Sequence, residues 1–140
     1  MQKLLTMGMF HYYDLNHAEV FIFDDFLIKQ IKEGVVITPE HNKELKTLIS
    51  KHFKDKNIAY ISNRVASYTV DPMVYKEAEK IHNLVAMAII PATETMRANA
   101  EFEKKFYHRP YNIFDNLTDA IIWVHSIINI ENEKDKISLN

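Results

Sequence analysis

Asn57 to Ala92 reads NIAYISNRVASYTVDPMVYKEAEKIHNLVAMAIIPA, and its two apolar runs, Ile58–Ile61 and Leu84–Ile90, flank a polar turn and a proline-started segment. That is the order a strand, helix, strand unit requires. No charge falls between Val85 and Ile90. Such a run suits a strand covered on both faces, because an alternating polar residue would lose its water there without gaining a partner. Parallel pairing needs a long crossover, and the segment between the runs is long enough to be a helical one. Leu84–Ile90 is therefore the expected central strand. At Asp71-Pro72 a carboxylate can accept a first-turn amide, and the proline loses nothing by lacking its own N–H. Tyr75, Ala78, Ile81 and His82 then recur at helical spacing.

Upstream, Phe10–Leu15, Ala18–Phe23 and Phe26–Ile31 read as strands joined by turns at Asn16-His17 and Asp24-Asp25. These connections are too short for parallel crossovers, so the opening is expected to be antiparallel. Met1–Gly8 is a lead-in that either frays or joins the first strand. Val35–Ile37 continues apolar to Thr38-Pro39, a second cap-and-proline start, and Leu45, Leu48, Ile49 and either His52 or Phe53 mark one side of a helix over Pro39–Phe53.

Downstream, Met96, Ala100, Glu103 and Phe106 fit a helix with one charged interruption, and Tyr111–Phe114 fits a short strand. Asn116 and Asp119 have capping-box spacing before the strongest stripe of the chain: Leu117, Ala120, Ile121, Val124, Ile127 and Ile128. After Ile130 the sequence ENEKDKISLN is polar and charge-rich. The expected organisation is one α/β domain over residues 1–130 and a flexible polar tail over 131–140.

The 140 residues suit one domain, and 47% apolar with 11% aromatic residues supply a sizeable core. A formal charge of −2, spread without blocks, favours neither a nucleic-acid backbone nor an anionic membrane. With no cysteine there is no disulfide, thiolate nucleophile or cysteine metal site. No apolar run approaches signal-peptide or membrane-spanning length, so a cytoplasmic protein is expected.

The usual constellations of catalysis are missing. Asp24-Asp25 reads as a turn, and the seven histidines are scattered with no ligand spacing. Ser62, Ser67 and Ser126 lie in no nucleophile elbow, and Gly8 and Gly34 cannot build a phosphate-cradling loop. Tyr12, Tyr13, Phe21, Phe23 and Phe26 suit a strand pair over a core, and Trp123 suits a packing anchor. Ser62, Asn63 and Arg64 directly follow the strand Ile58–Ile61, where ligands approach an α/β sheet, and Arg64 can recognise an anion or a partner.

The order of elements, together with FLIKQIKEGVVITPEHNKELKTLI, NIAYISNR, LVAMAII and YNIFDNLTDAIIWV, resembles the STAS-like (SpoIIAA-like) domain of anti-sigma factor antagonists and sulfate-transporter regulatory tails, particularly its free-standing bacterial branch. The resemblance spans roughly Tyr12 to Ile128. It implies a single compact α/β domain whose mixed sheet is covered mainly on one face by about four helices, with a face or edge serving a protein partner. Anti-sigma antagonists place a phosphorylatable hydroxyl at a strand end before a helix, often in an Asp-Ser-Ser-Gly-like pattern. Here the matching turn runs from Ser67 to Met73, with Asp71 nearest by position and Ser67 and Thr69 beside it. A carboxylate at that place can cap the helix without phosphorylation.

Ser62, Asn63, Arg64, Ser67, Thr69 and Asp71 thus form the expected partner or ligand site. The leading expectation is a non-catalytic regulatory or protein-interaction module that binds another protein or itself and needs no cofactor. One alternative is a carrier or sensor holding a small apolar molecule or lipid between helix and sheet. The other is a small hydrolase or metalloenzyme assembled from distant residues.

Overall fold

The computed structural model describes residues His11 to Leu139. The expectations for Met1–Gly8 and for Phe10 lie outside the described residues. A six-stranded mixed sheet is built from β1 (His11–Asp14), β2 (Ala18–Ile22), β3 (Phe26–Ile31), β5 (Ile58–Arg64), β7 (Leu84–Pro91) and β8 (Tyr111–Ile113), in the order β1-β2-β3-β5-β7-β8. The first three strands are antiparallel, as their short connections dictate, and β3, β5, β7 and β8 run parallel. The two expected turns close with Leu15 N–H donating to the Ala18 carbonyl at 2.8 Å and Phe23 N–H to that of Phe26 at 3.0 Å. Phe21, Phe23 and Phe26 enter the core, whereas Tyr12 on the edge strand is exposed.

Each parallel connection carries a helix. These are α1 (His41–His52) between β3 and β5, α2 (Met73–Ala78) between β5 and β7, and α3 (Glu94–Glu103) between β7 and β8. The last helix, α4 (Leu117–Leu139), returns along the opposite face. Period-two alternation therefore feeds two cores. Leu27, Ile31, Ile58, Leu84, Met87 and Ile89 face α1, α2 and α3, while Ile28, Ala59, Ile61, Ala86 and Ala88 face Ala120, Ile121, Val124 and Ile128 of α4. Three of the four helices among the described residues share one face, and β7 is buried on both, as its uncharged run requires. No helix of the described residues is long and apolar enough to cross a membrane.

A second, two-stranded sheet lies over the main one, formed by parallel pairing of β4 (Val36–Ile37) with β6 (Thr69–Val70). Gly34, at φ 77°, turns the chain into it and donates its N–H to the Ser67 carbonyl at 2.9 Å. Thr69 and Asp71 donate in turn to the Val35 and Ile37 carbonyls. The segment after β5 is thereby tied across the sheet and does not remain a free turn.

Four sequence expectations change. Ser62, Asn63 and Arg64 are the last residues of β5 and not a turn beyond it, because they pair with Ile89, Ile90 and Pro91 of β7. Thr38 does not cap α1 with its hydroxyl; the His41 ring Nδ1 accepts the Thr38 N–H at 3.0 Å, and the helix opens at His41. α2 stops at Ala78, so Ile81 is buried in the following loop and His82 is exposed. Residues 131–139 continue α4, where a flexible polar tail is expected. The Glu131–Lys134 and Glu133–Lys136 pairs support these turns, and the Asn57 amide donates to Asn132 and Asp135, each at 2.9 Å.

Candidate functional site

Where β3, β5 and β7 run toward their C-terminal ends, alternation places Tyr60, Ser62 and Arg64 of β5 on the face of α1 and α2. Lys29 of β3 is the register partner of Ser62 and shares that face. Four polar side chains, counting the phenol of Tyr60, are thus set into a surface otherwise made of Leu27, Ile31, Ile58 and Met87. Burying them costs free energy unless each finds a partner.

Arg64 finds one. It is 5% exposed, and its two terminal nitrogens grip the Glu103 carboxylate of α3 at 2.9 and 2.6 Å. The Tyr75 hydroxyl also donates to Glu103, and the guanidinium lies 5.3 Å from the centre of the Tyr68 ring. Burial works against the Arg64 charge, but hydrogen bonding to Glu103 together with the fields of Tyr68, Glu103 and Tyr75 more than offsets it, so its pKa lies above the ordinary value. Ser62 shares a 3.0 Å hydrogen bond with the Tyr68 hydroxyl and stands 3.5 Å from Arg64 Nε. Burial raises the phenol pKa values of Tyr60, Tyr68 and Tyr75.

The six residues expected from sequence separate into distinct surroundings. Ser62 and Arg64 join this buried network. Asn63 alternates to the other side and donates to Gln30 at 3.2 Å. Ser67 and Thr69 are exposed, held through their backbones by the small sheet. Asp71 accepts the Met73 N–H at 3.0 Å, which is the capping role its position predicts.

Lys29, Tyr60, Tyr68, Tyr75 and Glu103 belong to the site without having been singled out as functional. Two carried a signal. Lys29 occupies a core-facing position in FLIKQI, between Leu27 and Ile31, and Glu103 interrupts the apolar stripe of α3. A charge at a buried position marks a partner or a ligand.

Between this sheet face and α1, α2 and the small sheet lies a cavity of about 50 Å³. Ile31, Ile37, Leu45, Val70 and Val74 supply apolar walls, while Lys29, His41, Tyr60, Ser62, Arg64 and Tyr68 supply polar ones. The space exceeds what a single buried water fills, so it admits a small molecule. Lys29 is 5% exposed, and burial pushes its ammonium down to about 8 against a weaker opposing pull from Glu44. Nearby, His17 packs against His41 with ring centres 4.4 Å apart, and its buried Nε2 has no hydrogen-bond partner among the described residues. Burial, then the field of Lys29, lowers its pKa to about 4.

Several other carboxylates and histidines have structural partners. Asp24 pairs with Lys56 and Asp25 with His125, so the adjacent acids point to different elements. His52 bonds the Tyr13 hydroxyl at 2.6 Å. Among the described residues no three histidine or acidic side chains converge as a metal site.

The chain is similar to a protein with a SpoIIAA-like fold. That solved structure is of an uncharacterised member of the DUF3478 family from Shewanella loihica PV-4. It is 12% identical to this chain, superposes with a TM-score of 0.49, and the match covers 84% of this chain and 94% of the other. No family model and no curated protein matches the chain.

Proposed function

We propose that the protein is a non-catalytic sensor or carrier that holds a small molecule between its helix layer and its sheet. The observation that carries this reading is the cavity at the C-terminal ends of the parallel strands, part apolar and part polar, with a buried lysine in its wall. Ligands of α/β sheets collect at such strand ends, and small-molecule sites combine apolar walls with a few fixed polar groups. The polar groups here orient one another. Ser62 is bonded to Tyr68 and not to a histidine, and Arg64 is committed to Glu103, an arrangement that favours recognition over nucleophilic chemistry. Native mass spectrometry of gently purified protein is expected to show a small-molecule adduct that disappears in a cavity-filling Leu45→Trp variant. A chain that carries no adduct, and whose melting temperature no small compound raises, would remove the reading.

A protein partner is the second reading, favoured by exposed apolar side chains beside the same turn. Met73 and Phe102 are about half exposed, and Pro72 lies between two shallow grooves that contain them. A partner or second copy docking there would lose affinity in Phe102→Asp while the fold is kept. Sedimentation and capture experiments on that variant and the parent distinguish the two readings.

A further inference from the structure

The cavity wall has a surplus of hydrogen-bond donors. Lys29 has no hydrogen bond and no carboxylate within ion-pair distance among the described residues; the acid whose field reaches it, Glu44, instead lies 3.8 Å from His17. The Tyr60 hydroxyl likewise has no acceptor among the described residues. His41 takes the Thr38 N–H on Nδ1, so in the neutral ring the proton sits on Nε2, a third donor for which the described residues offer no acceptor. Arg64 adds nothing to this surplus, since Glu103 neutralises it.

An ammonium and two uncharged donors around a partly apolar space call for an occupant with one negative charge, several acceptor lone pairs and an apolar body. We propose that the ligand is a small monocarboxylic acid whose carboxylate pairs with Lys29 and accepts from Tyr60, with its short apolar body against Leu45 and Val70. A phosphate dianion would leave one of its charges buried without a counter-charge, and a neutral molecule would leave the ammonium unmatched. This assignment rests on the small-ligand reading of the cavity and gives it a chemical class.

The test is calorimetric titration at neutral pH with two matched pairs, butanoate against butanamide and benzoate against benzamide, on the parent chain, Lys29→Met and Tyr60→Phe. In the parent, each acid is expected to bind at least about tenfold more tightly than its amide. Lys29→Met, which keeps the apolar stem, should remove that preference, and Tyr60→Phe should reduce it by about threefold to tenfold. Amides that bind as well as acids, or a preference that survives Lys29→Met, overturn the acid assignment while the cavity still binds ligands. If none of the four binds, the adduct seen by native mass spectrometry decides. An organic acid supports the assignment, a neutral molecule overturns it, and an empty chain removes both it and the reading beneath it.

Discussion

Lys29 and Arg64 are two cations on the same sheet face with opposite circumstances. Arg64 has Glu103 at 2.6 Å, whereas Lys29 has no acceptor among the described residues. For Lys29 the expected consequence is a stability cost held in the unliganded fold. Lys29→Met should stabilise the empty protein at neutral pH by about 1–3 kcal/mol, because it removes a buried charge and keeps the packing of the stem. The pH dependence has a definite sign. The native ammonium titrates near 8 and the unfolded one near 10.5, so between these values the unfolded chain binds more protons and stability rises with pH. Below about 8 both states are protonated and the full cost is present. Urea unfolding from neutral pH to about 10 should therefore show the gap between Lys29→Met and the parent closing, and a constant gap would count against an unmatched ammonium. For Arg64 the reverse holds. Glu103→Gln strands a buried guanidinium and should cost about 3–5 kcal/mol, while the paired replacement Arg64→Met with Glu103→Leu should recover most of it. Simple additivity of the single effects in denaturant melts would show that the pair is not coupled.

At the scale of elements, α4 shows what a side-chain pattern reveals and what it conceals. Its apolar stripe is legible from Leu117 to Ile128, and the Asn116 cap bonds the Asp119 N–H at 2.9 Å as the spacing predicts. The stripe ends where burial ends, but the backbone continues to Leu139 on short-range ion pairs and the Asn57 contacts. Helix without burial is weakly held. Amide exchange should be slowest from Ala120 to Ile128 and faster by orders of magnitude after Glu131, and uniform protection would require a covering surface not among the described residues. β6 was illegible for a related reason. Thr69-Val70 is a strand only because Val36-Ile37 lies beside it, and no local propensity marks two residues whose order comes from a partner 33 positions away. The Arg64–Glu103 pair is similarly non-local. Each charge could be noticed in its own element, Glu103 as a break in the α3 stripe, but their meeting depends on how α3 lies over β5. The alternating and continuous runs and the antiparallel opening were readable from period and connection length, whereas the strand order of the sheet and the donor surplus of the cavity emerge only when distant elements are assembled.

At the scale of the whole molecule, the sheet separates a core that packs tightly from one that holds a cavity. The α4 face is closed by Val124 and Ile128, both nearly inaccessible, against small residues Ala59, Ala86 and Ala88. The opposite face is roofed by a twelve-residue helix, a six-residue helix and a two-stranded strap, and this patchwork leaves the space beside Lys29. Stability and ligand choice should therefore be separable by face. Ile128→Ala and Leu45→Ala each truncate a buried aliphatic side chain and should each cost about 2–4 kcal/mol in denaturant melts. Only Leu45 lines the cavity, so only Leu45→Ala should widen it and shift preference from butanoate toward benzoate. Ile128→Ala should leave the relative affinities of the two acids unchanged even as the fold weakens. If both variants shifted ligand preference equally, packing on the α4 face would have to shape the cavity through the sheet, and the two faces would form one mechanical unit. An unchanged preference in Leu45→Ala would instead mean that the ligand does not sit under α1, since a removed wall must enlarge what can be accommodated there.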